Sequence, residues 1–231
     1  MRDFDDIFAE AAARHGGPQA LETKLAATAP LPAEKIAAIA DDRILSQMSR
    51  HVFQSGFSWA VIDKKWPGFE EAFEGFDPAT NAAMSDERFD ALLKDTAIIR
   101  NGAKIRSVAL NAQFLARLAT EHGSAARFFA DWPEDDFSGL LDYLKTHGDR
   151  LGGQIGARVI RALGKASYIL SDSVVAALIA QGVVATFPTS KRDLAAVQKA
   201  FNEWSQESGR DLTAISRTLA MSTGEIASAP H

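Results

Sequence analysis

The 231-residue sequence predicts an all-α protein. Apolar residues recur at three- and four-residue spacing over long stretches, and few segments alternate with period two. Pro67, Pro78, Pro133 and Pro188 fall where loops are expected.

Taken in order, Gly16 to Ala40 is alanine-rich with Pro30 and Pro32, which predicts short helices joined by a turn. Ser49 to Trp59 reads as one helix. Ser85, followed by Asp86, Glu87 and the apolar Phe89, Leu92 and Leu93, has the form of an N-cap with acids in the first turn. Ile105, Val108, Ala109, Ala112, Leu115, Ala116 and Ala119 make an amphipathic helix up to about His122. Phe137, Leu140, Leu141 and Leu144 make another, closed by Gly148. Ser190 opens a helix carrying Leu194, Val197, Phe201 and Trp204, which stops at Ser208-Gly209. Leu212, Ile215 and Leu219 mark the last one, and the tail from residue 223 is expected to fray.

Composition narrows the chemistry. Hydrophobic residues make up 46% and charged residues 24%, the ordinary range for a globular chain with a substantial core. No run approaches the ~18 apolar residues of a membrane span. The opening Met1 to Asp6 is acidic without an apolar stretch, so no secretory signal is expected and a cytoplasmic location is. The absence of cysteine excludes disulfides and thiolate zinc sites. His15, His51, His122, His147 and His231 are too scattered for a helical His–His clamp, so no metal and no cofactor are expected.

The net charge of −5 argues against a general nucleic-acid binder, but its distribution is uneven. Lys145, Arg150, Arg158, Arg161 and Lys165 surround a single acid, Asp149, and Arg100, Lys104 and Arg106 form a second basic group. Solvated helix faces would look the same on charge alone.

The most informative stretch is Ser49 to Trp59. As a helix it aligns His51, Gln54, Ser55, Ser58 and Trp59 along one side, with Phe53 and Phe57 on a neighbouring stripe able to fill a core. Gly56 inside that helix would cost roughly 1 kcal/mol, so a packing or contact reason is expected for it. A tryptophan so placed can be core. With Gln, Ser and His beside it, it also suits a pocket with one aromatic wall and a few polar anchors.

The run Gln54-Ser55-Gly56-Phe57-Ser58-Trp59, followed by Lys64-Lys65, Phe73, Phe76-Asp77-Pro78 and Ala82-Ala83-Met84, resembles the DNA-3-methyladenine glycosylase I family. So do Ile98-Ile99-Arg100-Asn101, Lys104-Ile105 and Asn111-Ala112, collinear with it. A fainter match runs from Gly156 to Asp172-Ser173-Val174-Val175. The resemblance covers roughly half the chain. It implies a single helix-hairpin-helix glycosylase-like domain over 1–222, with divergent helices at 1–45, a family-like core at 46–182 and added helices at 183–222.

The resemblance further implies a monomer that grips damaged double-stranded DNA by its backbone and everts a nucleotide into a pocket. Trp59, Gln54, Ser55 and Ser58 would line that pocket, and Gly56 and Phe57 would lie near the gap left in the duplex. Gly152-Gly153-Gln154-Ile155-Gly156 is the candidate hairpin, with Ala157-Arg158 starting a helix. Gly153, Gly156, Arg158, Arg100 and Lys104 are the expected DNA contacts. An indole face attracts a cationic alkylated purine by ~0.5–2 kcal/mol.

The sequence departs from the family at the centre. The family's pocket glutamate falls at His51, its zinc-binding cysteines have no counterpart, its last zinc histidine falls at Ser173, and its recognition tyrosine has no match. A neutral imidazole accepts one hydrogen bond, and a protonated one would repel a cation. Asp172, before Ser-Val-Val at a helix start, is either a substitute catalytic acid beside His51 or a helix cap. The leading expectation is a base-excision glycosylase for alkylated purines such as 3-methyladenine. A non-catalytic lesion binder and a helical protein-interaction adaptor are the alternatives.

Overall fold

The computed structural model describes residues 1–223 and contains helices without strands among them. Its elements are α1 (Phe4–Arg14), α2 (Pro18–Ala26), α3 (Ala33–Ala37), α4 (Asp41–Gln54), α5 (Trp59–Ala72), α6 (Pro78–Ala82) and α7 (Asp86–Leu92), followed by α8 (Gly102–His122), α9 (Ala125–Asp131), α10 (Phe137–His147), α11 (Gln154–Ala162), α12 (Asp172–Ala180), α13 (Lys191–Ser208) and α14 (Leu212–Ser222). The tail expected to fray lies, beyond Thr223, outside the described residues. No helix among the described residues is long and apolar enough to cross a membrane.

Contacts divide the chain into two compact units. Among the described residues, one comprises 1–31, 132–140 and 164–223; the other comprises 32–131 and 141–163. In the first, α14 packs against α1 and α12. Its centre is aromatic: Tyr168 stacks on Phe201 at 4.4 Å and meets Phe137 edge-on at 4.8 Å. The Tyr168 hydroxyl donates to Gln198 Oε1 at 3.1 Å, which satisfies a buried polar atom that would otherwise be costly. Capping follows sequence logic here. Ser190 Oγ accepts from the Asp193 N–H at 3.1 Å, and Gly209 closes α13 in the left-handed conformation.

The second unit is built around α8, which packs against α4 and α6. Asn101 caps α8 by accepting from the Lys104 N–H, and Gly123 ends it with φ 81°. Ser85 caps α7 as its sequence predicts. Pro67 does not mark a loop: it stands inside α5. Its ring removes the N–H that would reach back to the Asp63 carbonyl. Burial of Ile62, Trp66 and Phe69 on one face keeps the helix despite that loss.

Candidate functional site

Residues 49–59 are not one helix. The α4 helix ends at Gln54, residues 55–58 form a turn, and α5 starts at Trp59. The cause is local: Gly56 has φ 75°, a left-handed conformation that breaks helical continuation and costs a glycine little. This break accounts for Gly56 better than helix packing does, since a Cβ there would meet nothing within 4 Å. Phe53 is fully buried as expected, whereas Phe57, on the turn, is 40% exposed instead of filling the core.

Lys104 holds the turn. Its ammonium donates to the backbone carbonyls of Phe53 and Ser55 and lies 4.7 Å from the centre of the Phe57 ring. The residue is buried, and that burial lowers its pKa. Its hydrogen bonds are therefore made to backbone at the end of α4, where the helix dipole is negative.

The turn and its flanks form one wall of a hollow of about 430 Å³. His51, Gln54, Ser55, Gly56, Phe57, Ser58 and Trp59 line it from this side, and Gln154, Ile155 and Arg158 of α11 line it from the other. The α11 helix packs against α4 in the same unit. Breaking the helix thus gathers the expected residues in one place by a different geometry. Trp59 is 36% exposed there, not sealed in apolar packing.

Three features set the electrostatics. The Arg158 guanidinium lies 5.1 Å from the centre of the Trp59 ring, and its Nη2 donates to Gln154 Oε1 at 3.0 Å. His51 meets the Trp59 ring edge-on at 6.4 Å, and neither of its ring nitrogens has a hydrogen-bond partner among the described residues. Burial, reinforced by the positive charge of Arg158 and only partly offset by the neighbouring Gln54 side chain, pushes the His51 pKa down to about 4, so the imidazole is neutral at pH 7. Gln54 donates through Nε2 to Asp63 Oδ1 at 3.3 Å, and its Oε1 is buried without a partner. Asp63 also pairs with Arg50 at 3.1 Å. The hollow therefore presents an aromatic face, an unfilled acceptor, a neutral imidazole and a cation, and no carboxylate lines it.

The α11 side depends on a tight hairpin. The buried Asn111 accepts from the Asp149 N–H at 2.8 Å and donates to the Asp149 carbonyl at 3.0 Å, which fixes the loop before α11. Gly153 has φ 60°, and a Cβ on Gly156 would lie 2.5 Å from the Leu151 carbonyl oxygen, so only glycine fits. The helix begins at Gln154, about one turn earlier than the Ala157-Arg158 start expected from sequence. That places Arg158 one turn inside it, beside Trp59.

Other candidates fall elsewhere. Arg100 is exposed and lines a separate hollow with Phe57, Lys65, Thr96, Ile98, Ile99 and Asn101, so Phe57 stands on the ridge between the two depressions. Arg106 lies over the Phe89 ring at 4.2 Å. Lys165 is buried in the other unit, donating to the Trp132 carbonyl at 2.7 Å, and so is not part of a basic surface. Asp172, also in that unit, is exposed in the first turn of α12. It is not the cap, a role taken by Ser171, whose Oγ accepts from the Val174 N–H. Among the described residues no group of three or more His, Asp or Glu is placed to hold a metal.

Sequence reasoning missed Gln154 and Ile155 as pocket residues and the Arg50–Asp63 pair that braces Gln54. The one available signal was Asp63 itself, one helical turn beyond Trp59 on α5.

Known proteins resemble parts of the chain. The methyladenine glycosylase family model matches residues 36–138, which include the whole α4–α5 side of the hollow but not α11. The DNA-3-methyladenine glycosylase 1 of Escherichia coli K12 is 38% identical over 60 residues, 26% of this chain and 32% of that protein. The DNA-3-methyladenine glycosylase of Haemophilus influenzae is 38% identical over 68 residues, 29% of this chain and 36% of that protein. The chain thus spans about a third of the length of these relatives. A solved structure of the 3-methyladenine DNA glycosylase I of Staphylococcus aureus superposes with a TM-score of 0.47 at 22% identity, covering 53% of this chain and 74% of that one.

Proposed function

We propose that the chain, whose residues 36–138 match the methyladenine glycosylase family model, is a base-excision glycosylase acting on modified purines in double-stranded DNA. The relatives are named for 3-methyladenine, and alkylated purines are the first class to test. The observation that carries this reading is the hollow beside the α4–α5 turn. A partly exposed indole, two polar side chains with unfilled hydrogen-bonding atoms and an exposed aromatic ridge surround a volume of about 430 Å³. That volume suits a single nucleobase.

Excision requires the base to leave the stack. Phe57, exposed on a turn pinned by Lys104, is the side chain to enter the space it vacates. Trp59 offers a face for the everted ring. Hydrolysis breaks the bond between C1′ and the purine nitrogen; the electron pair leaves with the purine, and water oxygen bonds to C1′ and gives up a proton. His51, neutral at pH 7, has a lone pair to orient that water. Backbone grip falls to the hairpin around Gly153 and Gly156 and to Arg100. The enzyme works as a monomer, in the cytoplasm, without a metal.

Incubating the purified chain with duplex DNA carrying methylated purines, and separately with duplex carrying the uncharged hypoxanthine, and separating the released bases tests this directly. Release that disappears in Trp59→Ala supports it, and no released base of any kind defeats it. A second reading, a lesion binder without turnover, is favoured by one observation: no carboxylate lines the hollow. It predicts salt-dependent, damage-selective binding with no released base.

A further inference from the structure

We propose that this pocket selects an uncharged 6-oxopurine over a cationic alkylated purine, with Arg158 as the residue that sets the choice. The inference rests on the glycosylase reading for there being a nucleobase in the hollow, and narrows its charge class.

A purine alkylated at N3 or N7 in DNA is a cation. The indole of Trp59 would attract it, but that ring already has a cation of the protein beside it: the Arg158 guanidinium at 5.1 Å, held by Gln154. The lining has no carboxylate to compensate. Asp63, which accepts from the lining residue Gln54, already pairs with Arg50. A cationic base would therefore meet a like charge in a half-buried site, where screening is weak. His51 adds no negative charge, being neutral.

An uncharged 6-oxopurine finds complements instead. Its O6 and N7 both accept, and a guanidinium fork is the side chain that matches two adjacent purine acceptors. The bond to Gln154 uses one of the five guanidinium N–H groups. Its N1–H donates, and Gln54 Oε1 is a buried acceptor without a partner, its orientation fixed by the bond from Nε2 to Asp63. N3, the one remaining ring acceptor of the base, can take a hydrogen bond from the buried His51 imidazole.

The test compares two duplexes of one sequence, each with a single modified purine: hypoxanthine, uncharged with a 6-oxo group, and N7-methylguanine, a cation. Binding is measured in the cold at several salt concentrations, and base release separately at the working temperature. Wild type should bind the hypoxanthine duplex at least roughly ten-fold more tightly, a discrimination of the size one good bidentate contact gives. Arg158→Gln, which removes the charge, should erase or reverse that preference. Arg158→Lys should keep the rejection of N7-methylguanine while losing affinity for hypoxanthine, because it keeps charge but not the planar fork. Equal binding of the two duplexes by wild type, or tighter binding of N7-methylguanine, overturns the proposal. So does an Arg158→Gln variant that is folded by thermal unfolding and weakened equally toward both. If neither base is released while the binding preference holds, hydrolysis fails and the pocket's selectivity stands.

Discussion

Trp59 and Trp66 stand on the same helix, and each has an arginine over its ring, at 5.1 Å and 4.9 Å. They differ in everything else. Trp66 is 8% exposed, stacks on Phe69 and Phe76, and donates its indole N–H to Glu70 at 3.0 Å. Glu70 in turn accepts from Ser46 and pairs with Arg43. Trp59 is 36% exposed beside a histidine and a glutamine with unfilled hydrogen-bonding atoms. One cation–π contact therefore completes a core, and the other leaves an opening. What separates the two is the unsatisfied polar atoms beside Trp59, not the arginine.

The contrast breaks most visibly under truncation. Trp66→Ala should cost about 3–5 kcal/mol of unfolding free energy, the range for a buried aromatic. Trp59→Ala should cost about 1 kcal/mol or less while abolishing lesion binding. Chemical denaturation of both variants checks this, and equal costs would place Trp59 in the core.

Acid should act next. The folded-state pKa of His51 lies below its ordinary 6.5, at about 4, so its contribution to stability is complete above 6.5 and is lost as pH falls toward 4. Between those limits the unfolded chain takes up a proton that the folded one does not. The loss is on the order of 3 kcal/mol. His51→Gln should flatten that portion of the pH–stability curve, and an unchanged curve would show the imidazole to be solvated.

Lys104→Met should cost about 2 kcal/mol, because two carbonyls lose a buried donor. It should also lower damaged-base binding by loosening the turn that presents Phe57 and Trp59, with Trp66 unaffected. On the Trp66 side, Ser46→Ala removes one bond to Glu70 and should cost about 1 kcal/mol without altering DNA binding.

The same pair shows how far the sequence was legible. Helices bounded by strong local signals, such as Ser190 to Gly209 and Asn101 to Gly123, carry caps whose chemistry acts within a few residues. The break at residues 55–58 was not legible, because apolar spacing runs through it and the determinant is the conformation of one glycine. The grouping of His51, Gln54 and Trp59 does not depend on the break, since a turn and a helix face both keep them together. The capture of Trp59 by Arg158 was invisible. It depends on α11 packing against α4, a tertiary contact with no local signature, and it turns an expected phosphate contact into a wall of the pocket. Likewise Lys165 contributed to a basic cluster in sequence and is buried in the fold.

The most direct measurement follows the indole N–H resonances of the protein by NMR as a duplex with one everted-prone purine is added, against the undamaged duplex. Trp59, assigned through Trp59→Phe, should shift with the damaged duplex alone, while Trp66 stays in place. A Trp59 signal indifferent to the lesion, or one that moves equally with intact DNA, would contradict a base seated on that ring.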